Sequence, residues 1–334
     1  MKLEMDFSKG FEEIEKRSAK SVVLQFPEGL KTRIIELHDE FSKKFPETKF
    51  YCLTDPCFGA CDIALDKAKS LKADLLIHFG HNAISENKNT LYIPLEYKAT
   101  KEETEKILKK ILKEINSDGV RTITMAAPVQ YLGIMREIAK MLEKNSINVI
   151  LSEGTGRVKE EGQVLGCNYS SVKRVANAEA VVFIGDALFH ALGLELSARK
   201  RVIFFDAVEM KVRDISKDKE LFLRKRFAAI AGAKEAKSFG IVVSTKHGQK
   251  RRGLAVELKK LIEDKGKKAI ILVSDYILPE YVLGIDVDCF VNTACTRIAI
   301  DDASLWKKPI INPEELEIAF RVKDWNAYSM EEID

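Results

Sequence analysis

Long apolar runs are missing from this chain of 334 residues. None approaches the roughly 18 residues that a membrane-spanning helix needs, and the opening MKLEMDFSKGFEEIEKRSAK is charged throughout, without the apolar core of a secretory leader. The expectation is a cytoplasmic protein with no membrane partner. An excess of either charge is missing too: 54 Lys and Arg stand against 51 Asp and Glu, a net charge of +3. That balance gives no sign of direct nucleic-acid binding, so any macromolecular partner must be recognised locally. Cysteine is sparse, six residues scattered over positions 52, 57, 61, 167, 289 and 295, which excludes a disulfide scaffold in a chain of this length. In a reducing compartment such thiols are core residues, metal ligands or catalytic groups. The chain also has no CxxC pair, the local unit from which structural zinc sites are usually built.

What is present recurs three times. Short β-branched or aromatic runs alternate with helical patterns, which predicts an α/β protein with parallel sheets covered by helices. The first unit offers SVVLQF, KFYCL and DLLIHFG, the second TITMAAP, NVILSEG and AVVFIGD, the third FGIVVST, KAIILVSD and CFVNTAC. From Ser21 to Lys49, Thr122 to Asn148 and Phe239 to Lys268, the first two strands of each unit start 28, 26 and 29 residues apart. One helix's worth of sequence separates them, the spacing of a βαβ unit. Two charged helices, with Thr100 and Ser216 as expected N-caps, suggest boundaries that give three domains over 1–98, 99–213 and 214–334. Parallel sheets of this kind carry ligands in the loops at the carboxyl ends of their strands.

Those loops hold the cysteines of interest. Cys61, in LTDPCFGACD, stands 13 residues before Asp74, where the third strand of its unit begins; Cys167, in GQVLGCNYSS, stands 13 before Ala180, where its own third strand begins. Cys295 ends the third unit's third strand in VNTACTRIAIDD, at the same sheet edge. Each unit thus offers one thiol to a shared centre, although Cys57, four residues before Cys61, could point inward in its place. Cys52 and Cys289 lie within strands and read as core. Three thiolates can hold a 4Fe-4S cluster with one iron left open, whereas structural zinc takes four protein ligands.

Taken together, LQFPEGL, DPCFGACD, HFGHNAI, GQVLGC, IGDALFHALGL, STKHGQKR and NTACTRIAIDD make the chain resemble, over nearly its whole length, the archaeal form of the enzyme family that opens diphthamide synthesis, the 2-(3-amino-3-carboxypropyl)histidine synthases. The resemblance implies three related α/β domains arranged around a central 4Fe-4S cluster on Cys61, Cys167 and Cys295, with S-adenosylmethionine as cosubstrate on the open iron. It implies a radical transfer of the aminocarboxypropyl group to C2 of a histidine imidazole on elongation factor 2, with methylthioadenosine released. It also implies a homodimer and an external electron donor that the sequence does not identify. Thr296 departs from the family pattern, where proline is expected. The CxxxCxxC motif of ordinary radical enzymes of this cofactor is absent, because Asp62, Ile63 and Ala64 follow Cys61 without a third thiol.

No side chain beyond the cluster is expected to be catalytic. Residues expected to contact the cosubstrate are His81, at a strand's carboxyl end, and Lys246, Gln249 and Arg251, in a loop that opens a helix. Arg297, with Asp301 or Asp302 to orient it, completes that set. Gly154 and Gly156 in EGTGR are weak signs of a nucleotide loop. A quinolinate-synthase-like enzyme acting on a small molecule, and a noncatalytic metal-stabilised scaffold, are the competing readings.

Overall fold

A computed structural model describes residues 1–333. Three sheets dominate it, and each orders its strands as second, first, third, fourth. The first runs Lys49–Cys52, Ser21–Gln25, Leu75–Gly80, Thr90–Pro94; the third runs Lys268–Ser274, Ser238–Ser244, Cys289–Asn292, Ile310–Ile311. The middle sheet runs Asn148–Val149, Thr122–Ala126, Ala180–Gly185, Arg201–Asp206 and adds an edge strand, Lys211–Arg213. All pairings in these sheets are parallel except that of the added edge strand. Strands covered on both faces must be apolar throughout, and every residue of Leu75–Gly80 and Ala180–Gly185 is buried. The order reverses direction between first and third strands, which opens a crevice at their carboxyl ends.

One device is repeated in all three units. The acidic residue just before the third strand accepts the two backbone N–H groups that open the first strand: Asp74 from Lys20 and Ser21 at 2.8 and 3.0 Å, Glu179 from Arg121 and Thr122 at 2.8 and 2.7 Å, Asp288 from Lys237 and Ser238 at 2.9 and 2.9 Å. Charge-assisted bonds of this kind tie the amino ends of the two central strands together.

Helix ends follow local chemistry. Thr100 caps Lys101–Ser117 in a reciprocal capping box with Glu103. Ser216 is not a cap: it is the first residue of the helix Ser216–Glu235, and its hydroxyl donates to Asp214, whose other oxygen accepts the Ser216 N–H. The helix Leu188–Ala198, from the apolar stretch DALFHALGL, buries Phe189, Ala191, Leu192, Leu194 and Leu196 inside the chain. It belongs to a core shared by the second and third units, which also takes in Phe204, Phe222, Phe239 and Ile241. The first unit has its own core, with Phe26, Phe41 and Phe79 at its centre. No helix among the described residues is long and apolar enough to cross a membrane.

Candidate metal centre

Cys61, Cys167 and Cys295 line one cavity of about 280 Å³ at the carboxyl ends of the three sheets. Cys61 sits in the single 3-10 turn Ala60–Asp62, reached from the strand Lys49–Cys52. Cys167 follows Gly166 in a two-residue turn closed by reciprocal backbone bonds between Leu165 and Asn168 at 3.0 and 3.1 Å. Cys295 immediately precedes the 3-10 turn Thr296–Ala299. Of the pair in DPCFGACD, Cys57 does not line the cavity; it is buried elsewhere, and burial pushes its thiol up to about 12.

The third unit holds the other two cysteines in place. Gly248 donates its N–H to the Cys61 carbonyl at 2.9 Å, and Ile333 donates to the Cys167 carbonyl at 2.7 Å. Only glycine allows the first contact, since a Cβ on residue 248 would stand 2.5 Å from the Cys61 Cα. Cys295 is fixed from its own unit: the Asn292 amide donates to the Cys295 carbonyl at 2.8 Å and to Asn312 Oδ1 at 2.9 Å. Asn312 in turn donates to the Thr296 carbonyl and receives support from Glu315, which pairs with the fully buried Arg226. Removing one partner of such a pair would strand a buried charge at a cost of about 3–5 kcal/mol.

Burial is the main cause of the raised thiols, which reach about 11 at Cys167 and about 12 at Cys295, with the charge of Cys61 next in both cases. The three sulfurs therefore lie within one another's field. Cys61 is raised by burial and eased by two groups, a 3.4 Å hydrogen bond from Gln249 Nε2 and the charge of Arg157. Among the described residues, no three His, Cys, Asp or Glu side chains are close enough to hold one metal ion. Three thiols around a common cavity fit a 4Fe-4S cluster with one open iron better than structural zinc, which takes four protein ligands.

The structure sorts the other expected residues. His81 and Arg297 line the cavity, and Gln249 reaches it through the Cys61 sulfur. Arg297 is held by Asp301 at 2.6 Å and lies over the Phe189 ring. Lys246 instead faces an adjoining cleft of about 410 Å³, where it pairs with Asp62 at 2.6 Å and stands 3.6 Å from the centre of the Tyr276 ring. Arg251 lies outside the cavity lining and pairs with Glu331 at 2.7 Å. Gly154 and Gly156 are not in the lining, but their neighbour Arg157 is, and its charge eases the Cys167 thiol. Arg157, His190, Gln130 and Asp186 are lining residues that sequence reasoning passed over. For Arg157 a signal existed, a cation in the glycine-rich loop that precedes Cys167; for the rest only the fold supplies it.

Two histidines on the cavity wall are kept neutral. Burial pushes His81 down to about 4 against a weaker opposing pull from the Phe79 carbonyl, and burial, with the charge of Arg297, pushes His190 to about 4.

Fold and site together define a triplicated parallel α/β protein built around a three-thiol cavity. Residues 26–330 match the model of the family described as "Putative diphthamide synthesis protein". The chain belongs to that family. It is 33% identical to the 2-(3-amino-3-carboxypropyl)histidine synthase of Pyrococcus horikoshii, over 99% of this chain and 94% of that protein, and 30% identical to the enzyme of the same name from Methanocaldococcus jannaschii, over 96% and 90%. The crystal structure of Dph2 from Pyrococcus horikoshii with a 4Fe-4S cluster superposes with a TM-score of 0.89 at 32% identity, covering 99% of this chain and 94% of that one.

Proposed function

We propose that this protein is a 2-(3-amino-3-carboxypropyl)histidine synthase, the enzyme of the first step of diphthamide synthesis. It moves the aminocarboxypropyl group of S-adenosylmethionine to C2 of a histidine imidazole on elongation factor 2. The observation that carries this reading is the meeting of Cys61, Cys167 and Cys295, one from each sheet unit, on a single cavity. With those three thiolates as ligands, a bound 4Fe-4S cluster supplies an open iron for the cosubstrate and the electron that breaks its carbon-sulfur bond.

The chain's own residues do the rest. Gln249 and Arg157 offset the negative charge that three thiolates concentrate in a buried site. Arg297, steadied by Asp301, offers the cavity a fixed guanidinium suited to a carboxylate. Phe58, exposed at 67%, lines the same cavity and gives an apolar surface where a protein substrate can approach. Family membership favours this reading over the quinolinate-synthase-like and scaffold alternatives.

Anaerobically reconstituted protein, reduced in the presence of S-adenosylmethionine and elongation factor 2, should release methylthioadenosine and add one aminocarboxypropyl group to one histidine. If 5′-deoxyadenosine were the main product, the bond choice would be wrong; if neither product formed, the assignment would fall. The active form is a homodimer, and light scattering should give twice the chain mass of 37.7 kDa. A lone 37.7 kDa species at micromolar concentration would refute that. The helix Leu188–Ala198 cannot serve as the contact face, since its apolar residues are buried within the chain.

A further inference from the structure

A proton must leave during the proposed transfer, and the structure offers a specific place for it. The donated electron and one electron of the broken carbon-sulfur bond leave the sulfur as a neutral thioether, and the other bonding electron stays on the aminocarboxypropyl carbon. That carbon electron and one ring π electron form the new bond at C2; when the proton leaves, the C2–H pair goes back into the ring and leaves one electron in excess. The electron lent at the start is returned, so no oxidant is consumed. Until the proton goes, C2 carries four substituents and the ring is not aromatic.

The backbone of the first unit dictates the protonation pattern on one side of the cavity. Gln25 ends the first strand, where its side-chain NH2 donates to the Asp62 carbonyl at 2.7 Å and its Oε1 accepts the Ala64 N–H at 3.2 Å. A carbonyl can only accept and an N–H can only donate, so these two contacts fix which end of the amide is oxygen. Gln25 Oε1 also lies 3.0 Å from His78 Nδ1, its neighbour across the strand pair, and this nitrogen must therefore carry the hydrogen. A neutral His78 then has only a lone pair at Nε2. His81 Nδ1 lies 2.9 Å from that lone pair and must donate to it. By the same rule His81 Nε2 is left as an unprotonated nitrogen, on a ring that lines the cavity with Cys61, Cys167 and Cys295. Burial keeps both rings neutral, with His78 pushed down to about 3.

Resting on the function proposed above, we infer that His81 is the base that takes the C2 proton of the acceptor imidazole, with His78 and Gln25 as positioning residues that set its tautomer. Two other groups compete for the role. His190 also lines the cavity, but its Nδ1 is buried without a partner, so nothing fixes its tautomer, and the nearby Arg297 opposes a second positive charge. Asp186 is exposed and already accepts the Tyr131 hydroxyl at 3.2 Å. A weak base is sufficient for His81, because losing this proton restores an aromatic ring.

The test uses the cluster-loaded enzyme with elongation factor 2 whose histidines carry deuterium at imidazole C2. Methylthioadenosine and modified protein are quantified for the native chain, His81→Phe and Asp186→Asn, and 15N spectra of histidine-labelled protein are recorded for the native chain and Gln25→Leu. In His81→Phe, methylthioadenosine release should persist while transfer per methylthioadenosine falls by about a hundredfold. The residual transfer should show a primary deuterium isotope effect that the native enzyme lacks. His81 should appear as the neutral ring protonated at Nδ1 at pH 6, and Gln25→Leu should mix the two tautomers. Native coupling and no isotope effect in His81→Phe would overturn the proposal, as would the same loss in Asp186→Asn alone or an Nε2-protonated His81. Absence of methylthioadenosine from the native enzyme would instead bring down the functional reading itself.

Discussion

At the scale of single residues, the site is built from groups held in unusual protonation states by burial and by fixed backbone partners. His78 is the clearest case, wholly buried between Gln25, His81 and Tyr92. Its folded value of about 3 lies below the ordinary 6.5, so the unfolded chain binds the proton more readily than the native one. The stability held by the neutral ring is complete above about pH 6.5 and is lost as pH falls toward 3. At pH 5 the loss is of order 2 kcal/mol, at about 1.4 kcal/mol for each pH unit below 6.5. Urea titration of the metal-free protein should show a larger drop in midpoint from pH 7.5 to pH 5 for the native chain than for His78→Asn, which cannot take the charge. Equal drops would show that His78 is not buried as a neutral ring. His81 was visible in the sequence as a histidine at a strand's carboxyl end, whereas its dependence on His78 and Gln25 was not, because a tautomer is set by contacts between different strands.

Among the elements, the loops at the carboxyl ends of the strands matter most, and they are positioned by contacts between units. STKHGQKR showed in sequence as a basic loop that opens a helix. Its closest contribution turned out to be Gly248 pressed against Cys61, with Gln249 on the sulfur, while Arg251 turned to Glu331. Charge pattern pointed to Arg251, but an acidic residue far along the chain claimed it, and sequence distance gives no warning of that. Gly248→Ala should cost about 1–3 kcal/mol through overpacking and reduce cluster loading by moving the loop off Cys61. Unchanged iron content with unchanged thermal stability would contradict the close approach. The fold itself was more legible. All nine named strands are present: the first and third of each unit carry the buried apolar runs that mark central parallel strands, while the second of each unit is a half-exposed edge, shortest at Asn148–Val149. The fourth strand of each sheet was missed: Ile310–Ile311 is too short to show a pattern, and Thr90–Pro94 and Arg201–Asp206 lie beyond the βαβ spacing that guided the reading. The acid before each third strand, Asp74, Glu179 and Asp288, was a repeat signal in plain view that gains meaning only from the strand ends it joins.

Over the whole molecule, three copies of one strand order place three loops around a common cavity, and this is the account's central claim. Matched spacing of Cys61 and Cys167 before their third strands already suggested equivalence and, with the GAC motif, favoured Cys61 over Cys57; in the fold Cys61 lines the cavity and Cys57 does not. The shared core of the second and third units, with backbone bonds from the third unit to Cys61 and Cys167, keeps the cavity's walls in register. The most direct test is the iron content per chain of anaerobically reconstituted protein, measured for the native sequence and for single alanine variants of Cys57, Cys61, Cys167 and Cys295. The native chain and Cys57→Ala should hold about four irons each, while Cys61→Ala, Cys167→Ala and Cys295→Ala should each lose most of theirs. Full retention in Cys61→Ala with loss in Cys57→Ala would contradict the account.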